Sequence, residues 1–387
     1  MVTIPTSAHT PRWAAFLAVC VTYVATTTGE ALLAPIFPIA AGELGIDVNL
    51  AGVLFATLAI GISAANVAGG LLLRWWTADR VLLLAVITSA IGAAISSAAN
   101  GVTVFVVGQL ALGAGAGLLY PAAIMAVGAF AGPERRGFAM GLFGVSFSLG
   151  LTLAAGLASV GVRLDWRWSF AVVAAFAAAS ALGVIRLSDA PRSEQSAPMF
   201  AGLRAVLGTP TIVGVTGGMS QYATVSFLPV FAVAVWGIGE ARAALILAVG
   251  RIASIPAKLI TGWLTDRLGS TTAARVTGAT LGVAGAIWAL SPSMIAGIVA
   301  ACLFTATVSG LFPIANTMAL ERVGRSGASL GVFRSVQIAA GALMGVVIAS
   351  FNGVVGLRAT IAIVGSLPIL LVLLNVGRDA QTGSTAA

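Results

Sequence analysis

The sequence predicts an all-α integral membrane protein of twelve transmembrane helices, arranged as two six-helix halves with both termini in the cytoplasm. Three observations carry that prediction. Only 8% of the 387 residues are charged, while 59% are hydrophobic. Long apolar runs recur along the whole chain. The basic residues fall between those runs, with a strong bias to one side.

A soluble domain carries roughly 25% charged residues, so a water-facing surface cannot be built from this composition. Most of the chain must face lipid or other helices. A helix crosses the hydrocarbon core with about 20 apolar residues. Runs of that kind cover residues 13–40, 49–73, 80–99, 102–131, 138–161, 166–187, 209–236, 242–263, 274–291, 293–319, 328–351 and 355–376. The first is too long for a signal peptide and contains Glu30, so it is read as a retained span.

Lysine and arginine set the orientation, because basic loops stay inside. With the N-terminus inside, thirteen of these residues fall in cytoplasmic segments, among them Arg74, Arg135, Arg136, Arg267 and Arg322. Four fall outside: Arg163, Arg167, Arg242 and Arg358. The expected location is therefore the inner (plasma) membrane, as a multi-pass protein. The net charge of +8 is scattered singly between apolar runs, which excludes a nucleic-acid surface.

The longest polar stretch, Ser188 to Pro210, holds Pro191, Arg192, Ser193, Glu194 and Pro198. It divides the chain into a first bundle over 1–187, a cytoplasmic linker over 188–208 and a second bundle over 209–387. The halves resemble each other. Arg135-Arg136-Gly137-Phe138-Ala139-Met140-Gly141-Leu142-Phe143 is echoed by Arg325-Ser326-Gly327-Ala328-Ser329-Leu330-Gly331-Val332-Phe333. Gly117-Leu118-Leu119-Tyr120-Pro121 is echoed by Gly310-Leu311-Phe312-Pro313, and Pro35-Ile36-Phe37 by Pro229-Val230-Phe231. A duplicated plan of this kind builds two halves around one central site.

Catalytic chemistry has no visible carrier. Cys20 and Cys302 lie in apolar runs, and the single histidine, His9, lies in the polar N-terminal tail. Paired carboxylates, a metal-ligand cluster and a phosphate loop are all missing, so no enzyme, metal or cofactor is expected. The run Gly113-Ala114-Gly115-Ala116-Gly117 reads as close helix packing.

Several short motifs carry a family resemblance. Gly262-Trp263-Leu264-Thr265-Asp266-Arg267-Leu268-Gly269 resembles the G-x-L-x-D-R-x-G loop of the major facilitator superfamily. After span two, Gly69, Leu71 and Arg74 fit the same pattern, but Leu73 stands in place of the acid and Trp76 in place of the last glycine. Asp165-Trp166-Arg167-Trp168-Ser169-Phe170 resembles the start of the family's span six, and Glu134-Arg135-Arg136-Gly137 its loop between spans four and five. The resemblance covers the whole chain. It implies a secondary carrier with a conformational latch formed by Asp266, Arg267 and Arg74. Two departures count against a drug–proton antiporter: Gly150 is followed by Leu151 and not by proline, and Gln109 takes the place of a span-four arginine.

Ionisable residues within a span cost free energy to insert and face a cavity or a partner. Arg251, Ser254, Lys258 and Thr261 recur at helical spacing in span eight and predict one polar face near the midplane. Arg334 and Gln337 lie one turn apart in span eleven, and the repeat pairs Arg334 with Gly144, so this charge is an addition to the template. Glu30 follows Thr22 and Thr26 in span one and precedes Pro38 by eight residues, resembling an acidic position of efflux members. Guanidinium groups bind carboxylates in bidentate fashion. Arginines in spans eight and eleven also resemble the oxalate–formate antiporter and monocarboxylate transporters.

The expected substrate is thus a small organic anion such as a carboxylate, bound by Arg251, Arg334, Gln337, Lys258, Tyr120 and Gln221. Glu30 would carry a proton or pair with an arginine. The alternative is a proton-coupled efflux transporter for drugs or metabolites. The expected partners are substrate, protons and the lipid bilayer, with the protein a monomer and no nucleic acid bound.

Overall fold

Gly45 and Gly237 both sit at φ 67°, in the left-handed region that a residue with a Cβ adopts at a cost, and each ends a long apolar helix. The helices they end are α1 (Trp13–Leu44) and α7 (Thr209–Trp236). Between them run α2 (Ala51–Leu72), α3 (Ala78–Ser97), α4 (Val102–Ala131), α5 (Arg136–Gly161) and α6 (Trp166–Ile185). After α7 follow α8 (Glu240–Leu268), α9 (Ser270–Leu290), α10 (Met294–Val308), α11 (Leu311–Val323), α12 (Gly327–Val355), α13 (Leu357–Ser366) and α14 (Leu370–Leu373). The computed structural model describes residues 12–46, 51–161, 164–187, 190–193, 207–324 and 326–373. His9, Arg163, Arg204, Arg325, Arg378 and most of the 188–208 linker lie outside the described residues.

Among the described residues, nine helices are long and apolar enough to cross a membrane, or ten if the bent Thr209–Trp236 pair is one span. Leu58–Leu72 and Leu357–Val372 are shorter apolar helices. Two details differ from the expected spans. The stretch Gly262–Leu268 is the last part of α8 and not a loop, because nothing breaks the helix before Gly269, whose φ is 80°. The tenth run is broken at Ser309–Gly310 into α10 and α11, where Gly310 abuts Thr261.

Small residues set the packing, as expected where apolar burial does not drive helix association. Gly113 and Gly117 face Leu58 and Ile62 of α2, while Gly115 faces Ser89 of α3, so the glycine run lets α4 lie close to both. The two halves meet mainly along α5–α8 and α2–α12. These two crossings are twins. Gly137 lies on Gly262 and Gly141 on Lys258; Gly327 lies on Gly70 and Gly331 on Asn66. Gly137 and Gly327, and Gly141 and Gly331, are pairs of the internal repeat; on the opposing helices Gly70 lies one residue beyond Gly69, which the loop motif aligns with Gly262, and Lys258 and Asn66 each stand four residues before the contacting glycine.

Both crossings lie at the end that carries linker residues 190–193, here the linker end. There Asp266 accepts hydrogen bonds from the amides of Gly137 (2.7 Å) and Phe138 (2.8 Å) at the start of α5. A carboxylate at a helix N-terminus satisfies orphan amides and opposes the helix dipole. Asp266→Asn keeps the shape and removes the charge, so it is expected to lower thermal stability by about 1 kcal/mol. Equal melting of mutant and parent would show that the contact is idle.

At the opposite end, Glu43 accepts from Trp166 Nε1 (2.9 Å) and from Arg167 Nη1 (2.8 Å). These hydrogen bonds, from Trp166 first and Arg167 second, hold the Glu43 carboxyl below its ordinary value of 4.5. A depressed folded value means that the contact stabilises fully above about pH 4.5 and fades as pH falls through the lower folded value. Glu43→Gln is therefore expected to flatten the acid limb of a stability–pH curve. An unchanged limb would assign the acid loss elsewhere.

Candidate functional site

A central cavity of 370 Å³ lies between the halves. Its lining takes Glu30 from α1, Asn66 from α2, Tyr120 from α4, Gln221 from α7, Arg251 and Lys258 from α8, and Arg334 and Gln337 from α12. The proposed substrate residues thus share one chamber. Hydrogen bonds join the halves at the cavity wall, through Tyr120 and Lys258, and at the linker end, through Asp266 and Ser193.

Arg251 is open to the cavity, with no side-chain hydrogen bond or ion pair among the described residues. Lys258 is 4% exposed and does not reach toward the membrane surface. Its Nζ crosses to the other half and donates to the Gly144 carbonyl (2.9 Å) and the Ser148 hydroxyl (2.5 Å). The expected single polar face on α8 is therefore split. The Ser254 hydroxyl returns to the Arg251 carbonyl, and that of Thr261 to Ala257, so neither offers a donor to the cavity.

Arg334 lies on the face of Tyr120, 4.1 Å from the ring centroid, with Phe312 at 5.9 Å. Its Nη1 donates to Gln337 Oε1 (3.2 Å), while Gln337 Nε2 is buried without an acceptor. Glu30 forms no hydrogen bond or ion pair among the described residues; the cation whose charge acts on it is Arg334. The same charges act on Tyr23 and Tyr222. All three tyrosines of the chain therefore gather around one guanidinium. Tyr120 also shares a hydrogen bond with Asn316 (3.2 Å) across the halves.

Other residues singled out in the sequence are structural. Gln109 donates to Ser96 between α3 and α4 and does not line the cavity. Of the latch residues, Asp266 crosses between the halves, whereas Arg267 stacks on Trp263 of its own helix, 5.4 Å from the ring. Arg74 lies 5.9 Å from the ring of its neighbour Trp75. Sequence reasoning missed Ser148, Phe143, Phe147 and Phe312. The spacing of Phe143 and Phe147 by one helical turn was a legible signal for a shared face; nothing marked Ser148.

The chain compares closely with known transporters. A family model for the Major Facilitator Superfamily matches residues 19–345. A chloramphenicol resistance protein of Streptomyces lividans is 26% identical over 268 residues, covering 66% of this chain and 67% of that protein. The E. coli fucose:proton symporter FucP is similar in fold. Its outward-conformation structure superposes with a TM-score of 0.79 at 17% identity, covering 92% of this chain and 96% of that one. The proton:xylose symporter XylE gives a TM-score of 0.75 at 14% identity, covering 93% and 94%. With this fold, and a family match over most of its length, the chain belongs to the Major Facilitator Superfamily and is a secondary transporter, not an enzyme.

Proposed function

We propose that the protein carries a small organic anion, such as a carboxylate, across the plasma membrane by alternating access. It does so as a monomer with twelve spans and the linker end in the cytoplasm. The observation that carries this reading is the charge of the cavity. Three cations, Arg251, Lys258 and Arg334, line it against a single acid, Glu30, and none of the three forms an ion pair among the described residues. Such a chamber binds a negative ion in surroundings where it is poorly screened. Arg251, open to the cavity, and Arg334, backed by Tyr120, hold the carboxylate, with Gln337 and Gln221 as further polar contacts. Glu30 balances Arg334 in the empty state. Protonation of Glu30 frees that charge for the substrate, which couples anion and proton.

The test is thermal stability of the purified protein against a panel of carboxylates, with Arg251→Gln alongside. A ligand at about 100 times its Kd adds roughly 2.7 kcal/mol. Stabilisation by a carboxylate that is lost in Arg251→Gln supports the anion site.

A second reading, proton-coupled efflux, is favoured by one observation: Glu30 faces the cavity with no hydrogen-bond partner among the described residues. The relative that confers chloramphenicol resistance suits it. Stabilisation by neutral or cationic lipophiles, indifferent to Arg251→Gln and lost in Glu30→Gln, would select this reading and sink the first.

A further inference from the structure

The cavity has an aromatic wall that the charge count does not describe. Tyr23 stacks on Phe143 with ring centroids 4.3 Å apart and planes at 16°. Tyr120 lies 6.1 Å from both, and Phe147 lies 6.1 Å from Tyr23. A cation closes each end of this row: Arg334 at 4.1 Å over Tyr120, and Lys258 Nζ at 5.6 Å from the Phe147 ring. Four rings in continuous contact thus run between two positive charges, all of them lining the same 370 Å³ chamber.

A chamber built for a very small, strongly hydrated dicarboxylate would need hydroxyls and amides to replace its water shell. This wall is aromatic instead: Tyr23 and Phe143 are buried and stacked on each other, and Phe147 beside them is half-buried; the chamber's volume falls in the range that encloses drug-sized ligands. Ring faces reward a flat apolar body through stacking and burial. Among the described residues the guanidinium donates one hydrogen bond, to Gln337, out of five N–H donors, so donors remain for an incoming carboxylate. We infer that the substrate is an aromatic carboxylate, its ring packing against Phe147 beside the Tyr23–Phe143 stack and its carboxylate drawn to the Arg334 end. This inference rests on the anion reading above.

Binding of three probes to the full-length protein separates the two. The probes are 1-naphthoate, its neutral isostere 1-naphthamide, and oxalate. The expected result is naphthoate at least tenfold tighter than either of the others. In Phe143→Leu and Phe147→Leu, which keep an apolar side chain, naphthoate is expected to weaken several-fold while oxalate is unchanged. Oxalate as tight as naphthoate overturns the aromatic inference and leaves the anion reading standing. Naphthamide as tight as naphthoate overturns the anion reading itself. Binding of none of the probes overturns the aromatic inference.

A different observation, independent of any substrate, concerns the linker. In the α5–α8 crossing the start of α5 is held by Asp266. In the twin α2–α12 crossing the matching position is Leu73, fully buried and without an acceptor in its side chain. The amide of Gly327 at the start of α12 donates instead to the hydroxyl of Ser193, at 3.1 Å. Ser193 is itself fastened: its amide donates to the Leu73 carbonyl (3.3 Å), Ala78 N–H donates to the Pro191 carbonyl (2.9 Å), and Arg192 bridges Thr77. We propose that Pro191–Ser193 is a strap that takes over the task of the missing acid, holding the second crossing shut at the linker end.

Labelling of a cysteine placed at Ser335, which bonds across that crossing to the Ser63 carbonyl, reads the strap. The background removes Cys20 and Cys302, and an impermeant thiol reagent is added at the linker end. Ser193→Ala is expected to speed labelling about three- to tenfold, Ser193→Thr to leave it unchanged, and Leu73→Asp added to Ser193→Ala to slow it again. Equal rates in Ser193→Ala and parent, with both proteins monodisperse and folded, overturn the proposal. So does rapid labelling in Ser193→Thr.

Discussion

Gly262→Val is expected to abolish transport and to open the linker end. A Cβ at Gly262 would strike the carbonyl oxygen and carbon of Gly137 and the Cα of Phe138, all backbone atoms that cannot swing aside. Helices α5 and α8 must therefore part. Their separation removes the Asp266 contact to the Gly137 and Phe138 amides and the Lys258 contact to Gly144 and Ser148. Overpacking of this kind costs about 1–3 kcal/mol before the lost hydrogen bonds are counted. In a carrier whose states differ by a few kcal/mol, about 3 kcal/mol moves the population roughly 150-fold.

A cysteine at Thr265, which is 4% exposed and lies beside Gly137, reports the opening. Its reaction with an impermeant reagent is expected to speed by at least tenfold. Gly156 provides the control, because it sits on the same α5 helix with nothing within 4 Å. Gly156→Val is expected to leave both transport and labelling near the parent. Normal transport by Gly262→Val, with Thr265→Cys still protected, would show that the crossing does not close the carrier.

Arg334→Gln carries the second large effect. The guanidinium is held by Tyr120, Phe312 and Gln337 and faces Glu30 across the chamber. Removing one partner of a buried, hydrogen-bonded charge pair costs about 2–5 kcal/mol in affinity. At the lower end of that range, a carboxylate ligand should bind about 30-fold more weakly. Arg334→Lys keeps the charge but loses the planar stack on Tyr120, so an intermediate loss of about tenfold is expected. Titration calorimetry on the three proteins orders them. Unchanged affinity in Arg334→Gln would remove this residue from the site. A loss in Arg334→Lys as large as in Arg334→Gln would make shape, not charge, the quantity recognised.

The relation between the two halves shows how local and distant information divide. The repeat pairs Gly137 with Gly327 and Gly141 with Gly331 on sequence alone, and the structure places both pairs at equivalent crossings. Lys258 stands where the other crossing has Asn66, so the duplicated frame carries one extra charge there and another at Arg334, opposite Gly144. Together with Arg251, these departures from the repeat give the cavity its sign.

Apolar run length by itself determined the helical class and the approximate extent of the long apolar helices, because the hydrocarbon core imposes length and composition directly on the chain. The same constraint marked Glu30, Arg251, Lys258 and Arg334, since an ionisable group in an apolar run stands out wherever it later points. Pairing was decided only by the tertiary structure. Helical spacing put Arg251, Ser254, Lys258 and Thr261 on one face, yet the two hydroxyls bond back to their own helix and Lys258 reaches 114 residues along the chain to Gly144. Glu30 comes under the charge of Arg334 from the other half without an ion pair, and Ser193 fills a place left by Leu73. The physical reason is that helix periodicity fixes neighbours three and four residues apart, whereas contacts between helices depend on where small residues let backbones approach, which no single segment encodes.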